Sequence, residues 1–331
     1  MKKLTDLTIK RGWGEPIELP IPSALGVLAG GGKVRVHIFG LGDVGRNLLV
    51  GLRLMGGTTI SKIGIYDINQ AQVDRMVMET GQIYCNEDLP SVEGVSAENL
   101  FDCDIFIFAA SAGIPQVKEG VDVRMAQLEA NSGIISGLAE KYSDALEDYK
   151  GMVFVLSDPV DPLCMEFLNL TSLNPWQIRG FGLGVMYARG RFYAERDEKL
   201  SSFLEEGRAF GPHGKDLVLA NSLENYDQEV SESVTDLAIK SNMEVRALGF
   251  KPFIAPAFSS GALSMVSFLK GGWSYGSLYM GNEDNGTFLG VKSRIKDGKV
   301  IWEDMDIPDQ LFQRIDGAYE NLLELERGRR G

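Results

Sequence analysis

The chain has 331 residues, of which 44% are hydrophobic and 24% are charged, and its formal net charge at pH 7 is −13. This length predicts two domains, or one two-lobed unit, with enough material for a large buried core. The acidic balance argues against nucleic acid and anionic membrane surfaces as partners, because both would repel the protein.

The amino-terminal stretch and the cysteines indicate in which cellular compartment we expect the protein. The sequence MKKLTDLTIKRGW lacks the apolar run of a signal peptide, and no stretch approaches the roughly 18 apolar residues of a membrane span. Cys85, Cys103 and Cys164 have no CxxC spacing, which is typical of reduced thiols. We therefore expect a cytoplasmic protein.

Residues 1–32 differ from the rest of the chain. They contain GEPIELPIPSALGVLAGGGK, in which closely spaced prolines disfavour a regular element and the final glycines indicate a linker. We expect an N-terminal arm that lies over another surface, either of the same chain or of a partner subunit.

From Val34 onward, apolar strands alternate with helices. The predicted strands are VRVHIF, SKIGIYD, DIFIFAAS and GMVFVLS, and one long helix is predicted from about Val123 to Glu140. Strands in such an alternation form parallel sheets with helices on both faces. The sequence therefore predicts an α/β fold that begins with a Rossmann doubly wound parallel sheet over residues 33–160.

Beyond about Pro162 the alternation becomes less regular. The stretches GTFLGVKSRI and KVIWED predict an antiparallel pair joined at Asp297–Gly298, and the chain ends in a predicted amphipathic helix. We expect residues 161–331 to form a mixed α+β substrate domain that packs on the first.

The stretch FGLGDVGRN predicts a dinucleotide site. Gly40, Gly42 and Gly45 have GxGxxG spacing, follow a predicted strand and open a predicted helix, and Asp67 ends the next strand 22 residues after the third glycine. An acid there binds ribose hydroxyls and repels a 2′-phosphate, so the pattern favours NAD. We assign cofactor binding to Gly40, Gly42, Asp43, Val44, Gly45 and Asp67. His37 lies inside the first strand and is interpreted as a core residue.

Five segments together resemble the lactate/malate dehydrogenase family: the glycine motif, AASAGIP (109–115), LSDPVDPL (156–163), GVMYARGRF (184–192) and GPHGK (211–215). SSGALSM and TFLGVKSRIKDGKV also resemble its substrate domain. The intervals are the most specific part, since Asp158 precedes Arg189 by 31 residues and Arg189 precedes His213 by 24. The resemblance covers nearly the whole chain except the arm.

The resemblance implies a role for each of these residues. Arg189 would bind the carboxylate of a 2-oxo acid, Arg124 would lie on a mobile loop and polarise the carbonyl, and His213 would carry the proton. The position that separates lactate-type from malate-type substrates falls within Gln116, Val117 and Lys118. The resemblance further implies a substrate contact at Ser259 and cofactor contacts at Ala110 and Gly113.

Two substitutions depart from the family pattern. Met186 stands where the family has the aspartate that orients the histidine, and Asp158 stands where it has an asparagine. An ionised Asp158 beside an anionic substrate would be costly, since like charges 4 Å apart near a protein surface repel by roughly 4 kcal/mol. Either Asp158 pairs with His213, or the substrate brings a donor group. We hypothesise the pairing, which makes Asp158 catalytic, and interpret Asp161 as structural.

The sequence thus predicts an NAD-dependent oxidoreductase that transfers hydride between nicotinamide and a small 2-hydroxy or 2-oxo acid. A lactate-like or unusual substrate is favoured over a dicarboxylate because no arginine occupies the specificity stretch, although Lys118 keeps the malate-type alternative open. An NAD-binding protein with little catalysis is a second alternative. A related metal-dependent glycosidase could use Cys164 and His213, but we predict no metal. The resemblance implies a homodimer or homotetramer.

Overall fold

The computed structural model describes residues 2–85, 88–113 and 123–330, with only the backbone described at residues 123, 124 and 330. Its strands are β1 (Val34–Phe39), β2 (Ile60–Tyr66), β3 (Ser91–Gly94), β4 (Ile105–Phe108), β5 (Met152–Val155), β6 (Ile178–Gly180), β7 (Arg208–Phe210), β8 (Val218–Ala220), β9 (Ser274–Gly281), β10 (Gly286–Lys296) and β11 (Lys299–Trp302).

Eleven α-helices are described within these ranges. They are α1 (Asp6–Ile9), α2 (Asp43–Met55), α3 (Gln70–Gly81), α4 (Val123–Lys141), α5 (Ser143–Glu147), α6 (Val160–Leu170), α7 (Leu183–Ala194), α8 (Ser202–Glu206), α9 (Gln228–Ala247), α10 (Leu263–Leu269) and α11 (Asp309–Arg330). A π-helix, Pro256–Ala262, leads directly into α10. None of the helices in the described ranges combines the length and apolarity that crossing a bilayer requires.

Nine strands form one sheet in the order β11-β10-β9-β6-β5-β4-β1-β2-β3. The six strands β1 to β6 are parallel and lie in the Rossmann order 3-2-1-4-5-6. This order confirms the predicted doubly wound fold. Every residue of β4 and β5 is buried, as expected for strands that carry helices on both faces. The carboxyl ends of these central strands form the edge where the candidate site lies.

The sheet does not stop where its parallel part ends. Strand β6 pairs antiparallel with β9 through Gly180 and Ser277, and this pairing joins three antiparallel strands to the Rossmann sheet. A Cβ atom on Gly180 would lie 2.9 Å from Ser277 Cβ, and one on Gly276 would lie 2.7 Å from Gly180 O. Two glycines therefore permit this close contact. The parallel strands extend to residue 180, and the domain boundary near residue 160 stays a prediction.

The predicted hairpin near the carboxyl terminus is confirmed. Strands β10 and β11 pair antiparallel, and Asp297 and Gly298 both have positive φ, at 52° and 76°. Two consecutive residues in this conformation form the tight turn that matches the twist of a hairpin. Strand β9 was not predicted. All its residues are buried, so its sequence, which contains glycine and serine, lacks the alternation of polar and apolar residues that indicates a strand.

The N-terminal arm lies on its own chain, which decides between the two predicted surfaces. The Ile17 N–H donates to Gly281 O at 2.8 Å, and the Val300 N–H donates to Leu19 O at 2.7 Å. The arm thereby covers β11, the edge strand of the sheet. The prediction that closely spaced prolines disfavour a regular element was wrong at Ser23–Gly30, which form a 3₁₀-helix. Helix α1 precedes the proline-containing stretch. Homo-oligomerisation stays a prediction.

The arm's anchoring can be tested with two substitutions in α1. Leu7 is fully buried in the main core, whereas Ile9 on the same helix is 46% exposed. Leu7→Ala should lower the free energy of unfolding by roughly 2–5 kcal/mol, because it removes buried methyl groups and leaves a cavity. Ile9→Ala should change it by less than about 1 kcal/mol.

Denaturant titration at several protein concentrations provides the measurement. Since the arm packs on its own chain, the loss caused by Leu7→Ala should not depend on protein concentration. A loss that shrinks as concentration rises would instead place Leu7 in an intermolecular contact.

Candidate active site

The turn between β1 and α2 has room for glycine alone at two positions. Gly40 has φ 99°, and a Cβ atom there would lie 2.5 Å from Ala110 Cα. A Cβ atom on Gly45 would lie 2.0 Å from Gly40 O. Gly42 differs, since nothing lies within 4 Å of its ideal Cβ position. The turn therefore packs tightly on its inner side and leaves open space at Gly42.

This open side meets the N-terminus of α2. Gly42 is the N-cap residue and has no side chain that could cap the helix, and Asp43 is the first helical residue. The first N–H groups of a helix lack intrahelical partners and bear partial positive charge, which suits a phosphate group. The shape and the donors of the turn thus fit a dinucleotide pyrophosphate.

Asp67 lies beside this turn, directly after β2. Its Oδ2 atom accepts from the Leu41 N–H at 2.7 Å, and its Oδ1 atom accepts from the Asn69 N–H at 2.9 Å. These two bonds hold the carboxylate at the carboxyl edge of the sheet, in the location that the dinucleotide pattern predicts for a ribose ligand.

A carboxylate and an imidazole meet at the same edge of the sheet. Asp158 follows β5, His213 lies in the loop between β7 and β8, and Asp158 Oδ1 lies 2.8 Å from His213 Nδ1. A Cβ atom on Gly182 would lie 3.1 Å from His213 Cβ, so α7 begins directly against this histidine. The pairing hypothesised from the sequence is therefore present, while its catalytic role stays a prediction.

Asn131 on α4 fastens the segment that carries Asp158. Its Nδ2 group donates to Asp158 O at 2.7 Å, and its Oδ1 atom accepts from the Ala112 N–H at 3.0 Å. Asn131 is fully buried, so these bonds are shielded from water. One side chain thus ties the loop after β4 to the loop after β5.

Arg189 projects from α7 into the same region and is 7% exposed. Its guanidinium contacts neutral acceptors, with Nη1 at 3.3 Å from Met186 Sδ and Nη2 bonded to Asn242 Oδ1. Burial lowers the pKa of Arg189, while the nearby negative charge of Asp158 opposes that effect. A buried guanidinium held by neutral groups favours an anionic ligand.

Met186 lies on α7 at the position where the family has the aspartate that orients the histidine. It is 1% exposed and packs in the second hydrophobic cluster of the protein. Its sulfur is a weak acceptor that contacts Arg189 instead of an imidazole. The carboxylate that pairs with His213 therefore comes from Asp158, on the loop after β5.

Asp161 is a second carboxyl group at this site, three residues beyond Asp158 in the first turn of α6. It is 1% exposed, and burial raises its pKa to about 6. Hydrogen bonds from Ser277 and from the backbone of His213 act in the opposite direction and favour the charged form. We interpreted Asp161 as structural from the sequence. That interpretation did not include its hydrogen bond with the His213 backbone.

The remaining predicted residues divide into two groups. Ser259 lies in the π-helix, where its carbonyl oxygen would be 2.5 Å from a Cβ atom on Gly184, so this backbone packs against the start of α7. Ala110 packs against the glycine turn, and Val44 is partly buried against the core. Gln116, Val117, Lys118 and the Arg124 side chain lie outside the described residues.

The metal and core assignments can also be compared with the structure. Among the described residues, no group of three His, Cys, Asp or Glu side chains is placed to hold a metal ion. Cys164 is fully buried, and burial raises the pKa of its thiol well above the usual value, which disfavours a thiolate ligand. His37 is 5% exposed, with Nδ1 at 2.9 Å from Leu100 O, which confirms its core role.

Comparisons with known proteins agree with this geometry. Residues 34–180 match the family model for the lactate/malate dehydrogenase NAD-binding domain. The L-lactate dehydrogenase of Mycoplasma pneumoniae is 28% identical over 183 residues, which cover 55% of this chain and 56% of that protein. Malate dehydrogenase 2 of Aquifex aeolicus is 24% identical over 246 residues, which cover 69% of this chain and 71% of that protein.

Solved structures extend the likeness to most of the fold. The apo malate dehydrogenase of Picrophilus torridus has a TM-score of 0.70 at 19% identity and covers 88% of this chain and 95% of that one. The minor L-lactate dehydrogenase of Enterococcus mundtii has a TM-score of 0.70 at 18% identity, with coverage of 88% and 96%. The sequence match to the Mycoplasma protein spans little more than half of its length.

The buried Asp161 carboxyl predicts a pH dependence of stability. Burial raises the pKa of its carboxyl to about 6 in the folded chain from the ordinary value of 3.8, a difference that corresponds to roughly 3 kcal/mol. Between these values the folded chain retains a proton that the unfolded chain releases. The stability that this group contributes is therefore present below about pH 4 and is lost as pH rises through about 6.

Denaturant titrations of wild type and Asp161→Asn between pH 4 and 7 measure this contribution. Relative to the variant, the free energy of unfolding of wild type should fall by up to roughly 3 kcal/mol across the window. Asp74→Asn, at an exposed position of α3, serves as the control and should follow wild type. Parallel curves for wild type and Asp161→Asn would contradict the assignment.

Proposed function

We propose that this chain, which matches the lactate/malate dehydrogenase NAD-binding domain over residues 34–180, is a member of that family and an NAD-dependent oxidoreductase of small 2-hydroxy and 2-oxo acids. The observation that carries the proposal is the Asp158–His213 pair beside the buried guanidinium of Arg189. A proton carrier and an anion-binding group at the edge next to the dinucleotide turn are the parts that this reaction needs.

The residues of the turn fit NAD. Gly40 and Gly45 keep the turn compact, and the open face at Gly42 lets the pyrophosphate approach the N–H groups of α2. Asp67 would accept from the ribose hydroxyls and disfavour a 2′-phosphate. Ala110, Val44 and Gly113 would line the same crevice. When bound, NAD supplies or accepts the hydride.

Arg189 would hold the substrate carboxylate through two parallel N–H donors. Its burial makes this charge pairing stronger than it would be in water. The fixed carboxylate orients the reacting carbon, and such positioning is worth roughly 7–11 kcal/mol of the barrier in favourable cases. Ser259 would contact the substrate from the π-helix, and Arg124 would polarise the carbonyl from the start of α4.

His213 would move the proton through Nε2, because Nδ1 is bonded to Asp158. During reduction of the oxo acid, Nε2 donates the proton to the carbonyl oxygen, and during oxidation it takes the proton back from the hydroxyl. The Asp158 carboxylate stabilises the imidazolium and fixes the ring orientation. The charges then balance as two pairs: Asp158 with the imidazolium, and Arg189 with the substrate carboxylate.

The substrate class follows from the specificity stretch. Gln116, Val117 and Lys118 contain no arginine, so no guanidinium fork is available there for a second carboxylate. We therefore propose a lactate-like or unusual 2-oxo monocarboxylate. Lys118 supplies a point charge, which keeps a malate-type dicarboxylate as the alternative.

Met186 favours a second candidate function. An apolar side chain at the family's acid position is what a member that binds NAD with little catalysis, in a regulatory or interaction role, would carry. The relocated carboxylate of Asp158 argues for catalysis, since it restores an acid next to the imidazole.

NADH oxidation by the purified protein against a panel of 2-oxo mono- and dicarboxylates tests the proposal. We expect saturable turnover with at least one monocarboxylate. His213→Asn should lower kcat by roughly 10²–10⁴-fold, the usual contribution of general acid–base assistance, with an unchanged Kd for NADH. NADH binding without turnover on any substrate would favour the second candidate, and absence of NADH binding would overturn both.

The relocated carboxylate predicts a specific effect of Asp158→Asn. Loss of the negative partner should lower kcat by roughly tenfold to a hundredfold and change the pH profile of kcat, because the imidazolium is no longer stabilised. The double variant Asp158→Asn/Met186→Asp moves the acid to the family position and should recover part of kcat. Unchanged kcat and pH profile in Asp158→Asn would show that the pair is not used.

A further inference from the structure

A carboxylate occupies an unfavourable place in the dinucleotide turn. Asp43 directly follows Gly42 and is the first residue of α2, where the pyrophosphate is proposed to bind. An ionised carboxylate interacts well with a helix N-terminus, but it repels a phosphate at the same end. At 4 Å this repulsion amounts to roughly 1 kcal/mol in water and 4 kcal/mol near a protein surface. A phosphate site here requires compensating positive charge.

Two basic side chains approach Asp43. Arg46 Nη2 donates to Asp43 Oδ1 at 2.6 Å from the same face of α2, and Lys251 Nζ lies 3.9 Å from Asp43 Oδ2. Asn47 Nδ2 donates to the Asp43 carbonyl at 2.8 Å, which holds the backbone of this turn. The three charged groups, Asp43, Arg46 and Lys251, carry a net charge of +1 at the N-terminus of α2.

The two cations play different parts. Arg46 forms a short contact between adjacent turns of one helix, so its charge is committed to Asp43. Lys251 lies at the outer limit of an ion pair, and its side chain is 77% exposed. A long, flexible lysine in this position loses little by turning towards another anion. The surplus positive charge of the trio therefore belongs to Lys251.

The placement of Lys251 follows from packing between the two halves of the chain. Lys251 lies between α9 and the π-helix, on the substrate side of the protein. The π-helix packs closely on α2, since a Cβ atom on Gly51 would lie 2.5 Å from Ala262 Cβ. The π-helix that follows Lys251 in the chain therefore packs on α2, and the Lys251 ammonium lies 3.9 Å from Asp43 at the N-terminus of α2.

We propose that Lys251 is a phosphate-binding residue for the dinucleotide, contributed by the substrate side of the chain. This inference rests on the proposed function and adds a residue outside the glycine motif. The Lys251 ammonium interacts with both Asp43 and the pyrophosphate, while Arg46 stays paired with Asp43 and neutralises its charge. The exposed lysine also explains why an acid is tolerated at the first position of α2.

Isothermal titration of Lys251→Gln with NADH and ADP-ribose tests the inference without any turnover measurement. The Kd of both ligands should rise roughly three- to tenfold at low salt, and less at high salt, because a partly exposed charge pair is screened. Adenosine, which lacks phosphate, should bind wild type and variant alike. Lys240→Gln removes an exposed lysine from α9 and is the matched control for overall charge.

The Asp43→Asn background separates phosphate binding from simple neutralisation. A lysine that only neutralises Asp43 would have no effect on ADP-ribose affinity once that acid is removed. A phosphate-binding lysine would still contribute, so the double variant Asp43→Asn/Lys251→Gln should bind ADP-ribose at least threefold more weakly than Asp43→Asn.

The outcomes distinguish this inference from the proposed function. ADP-ribose affinity equal in wild type and Lys251→Gln overturns the lysine's role and leaves the dehydrogenase proposal standing. The same holds if the lysine has no effect in the Asp43→Asn background. Wild type that binds neither NADH nor ADP-ribose overturns both.

Discussion

The hydrogen bond between Asp158 Oδ1 and His213 Nδ1, 2.8 Å long, is the interaction on which the proposed chemistry of this site depends. It joins the loop after β5 to the loop between β7 and β8, and it leaves Nε2 as the imidazole nitrogen for the proposed proton transfer. Asn131 fixes the backbone of Asp158 by donating to its carbonyl oxygen.

The relocation of the acid has an electrostatic cost that the site offsets locally. Asp158 lies near both His213 and Arg189. Its carboxylate hydrogen-bonds the imidazole, and its negative charge raises the pKa of Arg189, which burial lowers. Met186 fills the place of the family's acid with an apolar side chain and leaves Arg189 with neutral contacts. Among the described residues, Arg189 bonds directly to Asn242 and Met186 and to no carboxylate, which suits the anion-binding role proposed for it.

The continuous sheet explains how distant segments reach one edge. The parallel strands direct the glycine turn, Asp67 and Asp158 to their carboxyl ends. The antiparallel strands β9 to β11 join this sheet through Gly180 and Ser277. Strands β7 and β8 form a separate two-stranded sheet, and the loop between them places His213 beside Asp158. The arm completes the opposite end by covering β11. The glycine turn, Asp67 and Asp158 therefore lie on one sheet, and His213 and Arg189 reach this edge from the β7–β8 loop and from α7.

Local patterns in the sequence determined the alternating strands, the glycine turn with Asp67, and the hairpin at Asp297–Gly298, because each depends on neighbouring residues and on backbone sterics. Family spacing indicated Arg189 and His213, and charge reasoning suggested that Asp158 replaces the missing acid. Only the tertiary structure decided that the arm covers its own chain, that β9 joins β6, and that Lys251 meets Asp43. These are contacts between residues far apart in the chain, and their energies depend on packing and distance, which no local pattern encodes.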